Sequence, residues 1–190
     1  MKAELQAGRL LRRYLEAGEP VEIEGVGSMR LSSDDRIVFR HAAEPRVFVG
    51  YVEEDLETVR RLCDALRRGG FAPWLDKEQL LPGQNWPRAI ERALDLSDFF
   101  VGCFSARSVM KRGQFQAELR WALDCASRMP LDETFVVPVR LENCEIPGPI
   151  RSKLQYVDLF PDFDRGVARV VKAIRRAMAA RCLKRLPAGA

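Results

Sequence analysis

The spacing of apolar residues changes once along the chain, near residue 45. Before that point residues 4–17 place Leu5, Leu10, Leu11, Tyr14 and Leu15 on one side of a predicted helix. Val21 and Ile23 then alternate with acidic residues, as in a half-buried strand, and Gly25 and Gly27 mark a turn. Residues 29–31 and 37–39 predict two more short strands, separated by Ser33, Asp34 and Asp35. The pattern describes a small helix-plus-meander module over residues 1–44, with 42–45 as the junction.

From Arg46 onward, apolar runs alternate with amphipathic helices, the signature of a parallel sheet covered on both faces. The predicted strands are 47–51, 71–75, 99–104, 135–139 and 156–159. The predicted helices are 55–68, stopped by Gly69 and Gly70, then 86–96, 115–127 and 163–180. Leu56, Val59, Leu62, Cys63 and Leu66 stripe the first helix. Trp86, Ile90, Ala93 and Leu94 stripe the second, and Phe115, Leu119, Ala122 and Cys125 the third. Residues 76–85 read as a long polar loop containing Pro82 and Gly83. The expected division is a 1–44 module, an α/β domain over 45–181 and a flexible tail over 182–190.

Composition narrows the chemistry more than the fold. Thirty-one basic residues are interspersed with 27 acidic ones for a net charge of +4, which makes nucleic acid an unlikely partner. The basic run Arg175, Arg176, Arg181, Lys184 and Arg185 is read as charge suited to a helix C-terminus. Five cysteines without a CxxC pair support neither a disulfide framework nor a zinc site, and suggest a reducing cytoplasm. No apolar run reaches the roughly 18 residues of a membrane span. The single histidine, His41, lies outside the α/β segment. Ser-His-Asp, Cys-His and histidine-metal chemistry are thereby removed from that segment, leaving carboxylates to do any acid–base work.

Several spaced segments, taken in order, carry a family resemblance. RVFVGYVEEDLETVRRLCDALRRGGFAPWLDKEQLLPGQNW, AIERALDLSDFFVGCFSARSV, FQAELRWALD and FVVPVRLENCEIP together resemble bacterial TIR (Toll/interleukin-1 receptor) domains, from about residue 46 to residue 178. The resemblance implies a flavodoxin-like five-stranded parallel sheet flanked by helices. It does not extend to residues 1–45.

Many TIR domains cleave NAD+ at the nicotinamide–ribose bond, by hydrolysis or cyclisation, using a glutamate on the helix after the third strand. Glu118 occupies the matching position. Nicotinamide leaves as a neutral molecule, so no general acid is required, and the barrier lies in an oxocarbenium-like ribose that one carboxylate stabilises. A free glutamate titrates near about 4.3 and is expected to be ionised at neutral pH. The resemblance further implies that Tyr51 and Trp74 stack on the nicotinamide or adenine ring, that Asp76 shapes the site and that Ser105 hydrogen-bonds ribose. Family enzymes often carry Trp or Tyr four residues before the glutamate; here that position is Gln114, and the ring of Phe115 beside it is expected to substitute against the substrate. Residues 77–85 correspond to the BB loop, with Leu81, Pro82, Gly83, Asn85 and Trp86 as its assembly residues. Two glutamates after the first strand, Glu53 and Glu54, would repel a pyrophosphate.

Two functions follow. One is an NAD+ glycohydrolase or cyclase, with NAD+ as substrate, no cofactor and no metal, activated by TIR–TIR self-association in a bacterial defence or toxin-like setting. The other is a non-catalytic adaptor that binds proteins through the BB loop. Residues 1–44 are a possible site for a protein partner. A phosphoacceptor receiver is disfavoured because Phe104 and Ser105 stand where an aspartate is needed, and a Rossmann dehydrogenase because no GxGxxG follows the first strand.

Overall fold

The computed structural model describes residues 13–18, 21–23, 27–31, 37–41 and 44–185. The chain divides into two compact units, with the break between Glu44 and Pro45 and a second between Lys184 and Arg185.

In the first unit, β1 (Val21–Ile23), β2 (Gly27–Leu31) and β3 (Ile37–His41) form an antiparallel meander in that order. Val21 pairs with Met29, and Met29 with Phe39. Gly27 opens β2 rather than the turn before it, and β3 runs two residues past the expected end. Residues 13–16 are helical. The rest of the expected 4–17 helix lies mostly outside the described residues, as do Gly25 and residues 33–35.

The second unit is a sheet of five parallel strands, β4 (Arg46–Gly50), β5 (Ala72–Trp74), β6 (Phe99–Phe104), β7 (Val136–Arg140) and β8 (Val157–Asp158). Their order is β5-β4-β6-β7-β8. Successive side chains of a strand point to opposite faces, so continuous apolar runs fill two cores at once. Val47, Val49, Phe99, Val101 and Cys103 pack on one face against helix α1 (Leu56–Arg68) and the closing helix. Phe48, Phe100 and Phe104 pack on the other, against α3 (Trp86–Asp95) and α5 (Gln114–Ser127). Each fully buried side chain of this size contributes about 1.5–3 kcal/mol through removal from water.

Three short helices lie within stretches expected to be irregular. α2 (Asp76–Gln79) begins the supposed loop over 76–85, α4 (Ala106–Met110) follows β6, and α6 (Gly148–Arg151) follows β7. The closing helix, α7, runs Phe163–Arg185, so residues 182–185 are helical rather than tail, and 186–190 lie outside the described residues. Of its basic cluster, Arg181 donates to the carbonyls of Asp98 and Thr134 and stacks its guanidinium 4.6 Å from the Phe99 ring centre. That arginine is a fixture of the fold.

Candidate active site

In an open parallel sheet the crevice forms beyond the carboxyl ends of the strands, where neighbouring connections diverge. Here β4 is flanked by β5 and β6, and the turns leaving all three converge. Between them lies a cavity of about 670 Å³, a volume suited to a small organic ligand.

The floor of this cavity is buried. Phe48 and Phe115 are almost wholly enclosed, and Glu118 is only 6% exposed. The position follows from helix periodicity: Phe115, Glu118, Leu119 and Ala122 recur at the i, i+3, i+4, i+7 spacing of the buried face of α5. A carboxyl group thus occupies a core position. Gly50, the last residue of β4, leaves room for it: a Cβ there would stand 3.3 Å from Glu118 Oε2 and 2.7 Å from the tip of the Phe100 ring.

Burial pushes the Glu118 carboxyl up to about 8. A hydrogen bond from Gln114 opposes this shift, and the charge of Asp76 adds to it. Glu118 therefore holds its proton at neutral pH in this structure, contrary to the expectation of a ready-made carboxylate. Beside it the Tyr51 hydroxyl donates to Asp76 Oδ1 at 2.6 Å, and the same oxygen accepts the Lys77 backbone N–H at 2.7 Å. Burial and the Asp76 bond hold the Tyr51 phenol far above its ordinary range, so it stays protonated and keeps donating to Asp76.

The structure brings together Tyr51, Asp76, Trp86, Phe115 and Glu118 around this one cavity. It does not bring Trp74 or Ser105 there. Trp74 stacks on Phe48 with ring centres 4.8 Å apart and faces a separate depression of about 400 Å³ beside Arg46 and Arg92. Its ring is held by packing on its own side of Phe48. Ser105 is 1% exposed and caps α4: its Oγ accepts the Ser108 N–H at 3.2 Å and donates to Asp55 Oδ2 at 2.6 Å. Buried, and with its proton given to Asp55, Ser105 is a strut between two turns.

The loop between α2 and α3 is exposed. Leu81 is 70% exposed and Trp86, expected to face inward, is 52% exposed. Gly83 has φ +81°, a conformation that favours glycine. Asn85 Oδ1 accepts the Arg88 N–H and so caps α3, and Pro87 fits the first helical turn. Trp121, off the buried stripe, donates from its indole to Asp95 and ties α5 to α3.

Three cations at the cavity were missed by sequence reasoning: Lys77, Lys111 and Arg112 line it, together with Glu53. Glu53 and Glu54, expected to repel a pyrophosphate, are instead paired: Lys77 Nζ lies 2.8 Å from Glu53 Oε1 and Lys111 Nζ 2.7 Å from Glu54 Oε1. These bonds lower both carboxyls below the usual glutamate range.

The sheet order and the crevice beyond its strand ends define a flavodoxin-like α/β domain with a ligand-sized pocket. The TIR domain family matches residues 47–171, and the chain belongs to it. Among solved structures, it is similar to the TIR domain of the Toll-related receptor TRR-2 from Hydra magnipapillata. That match has 21% identity and a TM-score of 0.53, and covers 66% of this chain and 97% of that one. It is also similar to a metazoan TIR-STING receptor from C. gigas solved with 2′,3′-cGAMP, at 23% identity and a TM-score of 0.54, covering 72% of this chain and 41% of the receptor. At these identities the likeness speaks to fold. No curated protein matches the chain. Among the described residues, no helix is long and apolar enough to cross a membrane.

Proposed function

We propose that this TIR domain cleaves NAD+ at the bond between nicotinamide and ribose, with Glu118 as the catalytic residue. The observation that carries the reading is a carboxyl group buried at the floor of a cavity of about 670 Å³, at the strand ends where this fold binds ligands. Family membership supports it. A helical glutamate without such a role belongs in water, because burial of a carboxyl disfavours its charged form.

In this reading the C1′–N bond breaks and its electron pair neutralises the cationic pyridinium nitrogen, so nicotinamide leaves without a proton. Positive charge develops on the ribose, and an ionised Glu118 stabilises it. Water, or a nucleophile within the same molecule, then bonds to C1′ and loses its proton. The approaching pyridinium cation is what favours ionisation of Glu118, since an opposite charge within a few ångströms lowers a carboxyl pKa. Phe115 and Phe48 exclude water from the floor, and the Tyr51–Asp76 pair fixes one wall.

The concentrated 190-residue chain incubated with NAD+ is expected to release nicotinamide, and the Glu118→Ala variant is expected not to. Equal consumption by both removes Glu118 from the chemistry.

The exposure of Leu81 and Trp86 favours a second role for the same domain, assembly through the loop that carries them. Absence of NAD+ consumption by an assembled wild-type protein leaves assembly as the function, with the domain acting as an adaptor.

A further inference from the structure

The two ion pairs at the cavity have a common geometry. Glu53 and Glu54 are consecutive residues of the turn after β4, the strand that lies between β5 and β6. Glu53 reaches Lys77 on α2, which follows β5, and Glu54 reaches Lys111, which precedes α5 on the β6 side. One turn thus grips the connections on both its flanks. Both lysines are about half exposed, whereas Glu118 is buried, so the pairs stand at the rim and the carboxyl at the floor. A third cation, Arg112, lines the cavity next to Lys111.

Exposed ion pairs of this kind are weak, because water screens the attraction and two long side chains must be held still. A diphosphate offers the same lysines more acceptor oxygens at a single position. Of the three cations, Lys77 and Lys111 are each held by one glutamate, whereas Arg112 is held by neither and already faces the cavity for that group.

We infer that Lys77, Lys111 and Arg112 form the subsite for the diphosphate of a dinucleotide, and that Glu53 and Glu54 occupy those cations until the ligand displaces them. This rests on the NAD+ reading of the same cavity. The cations position the ligand so that its ribose reaches Glu118, and the glutamates set the threshold for entry. Removing the lysines is expected to weaken binding, while removing the glutamates is expected to strengthen it. Misfolding cannot produce opposite signs.

The test is calorimetric titration of the 190-residue chain with ADP-ribose, which carries the diphosphate but no nicotinamide–ribose bond, and with adenosine, which carries no phosphate. Lys77→Gln/Lys111→Gln is expected to weaken ADP-ribose binding about tenfold, and Arg112→Gln severalfold. Glu53→Gln/Glu54→Gln is expected to tighten it. For NAD+ cleavage the same changes should appear in KM and leave kcat nearly unchanged. Three results overturn the subsite: no binding of ADP-ribose by the wild type, equal affinity across the variants, or a loss for ADP-ribose matched by adenosine. Charge-dependent ADP-ribose binding without NAD+ cleavage leaves the subsite standing and sinks the cleavage reading. Cleavage with a KM indifferent to these substitutions does the reverse.

Discussion

The protonation of Glu118 is the residue-scale feature with the widest consequences. Its native carboxyl titrates near about 8, against an ordinary value of 4.5. Between those values the folded chain holds a proton that the unfolded chain has released, so stability falls as pH rises through the window. The slope is about 1.4 kcal/mol per pH unit for one fully differing group. The contribution is intact below about pH 4.5 and lost above about pH 8. Glu118→Gln keeps a neutral side chain throughout. Its Tm advantage over wild type is therefore expected to widen from pH 5 to pH 8 and then level off; a pH-independent gap in thermal melts contradicts the assignment. Catalysis carries the opposite sign, because the carboxylate is the working form. The kcat/KM for NAD+ is expected to rise with pH towards a plateau above about pH 8, with kcat titrating lower because bound pyridinium favours ionisation. At the neighbouring position, Gly50→Ala places a methyl 2.7 Å from Phe100 Cζ. It is expected to cost about 1–3 kcal/mol by overpacking and to depress kcat by crowding Glu118, read from chemical denaturation and steady-state rates.

At the scale of elements, Ser105 separates two roles that sequence alone could not. Its hydroxyl closes the first turn of α4 and braces Asp55. Ser105→Ala is expected to lower stability by about 1–2 kcal/mol while leaving the KM for NAD+ unchanged. A raised KM at unaltered stability would restore the ribose contact implied by resemblance. The strands were legible because β4 and β6 are continuous apolar runs bounded by polar turns, and a parallel sheet demands that pattern. Helices α2, α4 and α6 were not, because four or five residues are too few to display a 3.6-residue period. Glu118 was identified by resemblance, yet the stripe of Phe115, Leu119 and Ala122 already places residue 118 on the inward face. A carboxylate on an apolar stripe is the signal that composition and charge counts overlook. Lys77 and Lys111 could not be found this way, since cations on polar turns look alike until folding brings the turns after β4, β5 and β6 together.

At the scale of the whole molecule, the division between Glu44 and Pro45 separates two kinds of architecture. The second unit holds a sheet buried on both faces by its own helices, with Val170 and Ile174 of the closing helix fully enclosed in one of its cores. A sheet covered in this way has the apolar burial that an independent domain requires. The 1–44 module, by contrast, is a three-stranded meander whose Ile37 is 56% exposed. Residues 45–190 produced alone are therefore expected to unfold cooperatively, with one transition seen by both circular dichroism and tryptophan fluorescence. If turnover depends on assembly and the small module governs it, NAD+ turnover per protomer should rise with protein concentration in the full chain, and this fragment should bind ADP-ribose as the full chain does but lose that rise. A fragment whose turnover per protomer keeps that dependence would move control of assembly from the module to the exposed loop bearing Leu81 and Trp86. In that case Leu81→Asp in the full chain should abolish the concentration dependence by itself, because a charge at a 70% exposed apolar side chain disturbs contacts between copies while leaving the fold of each copy intact.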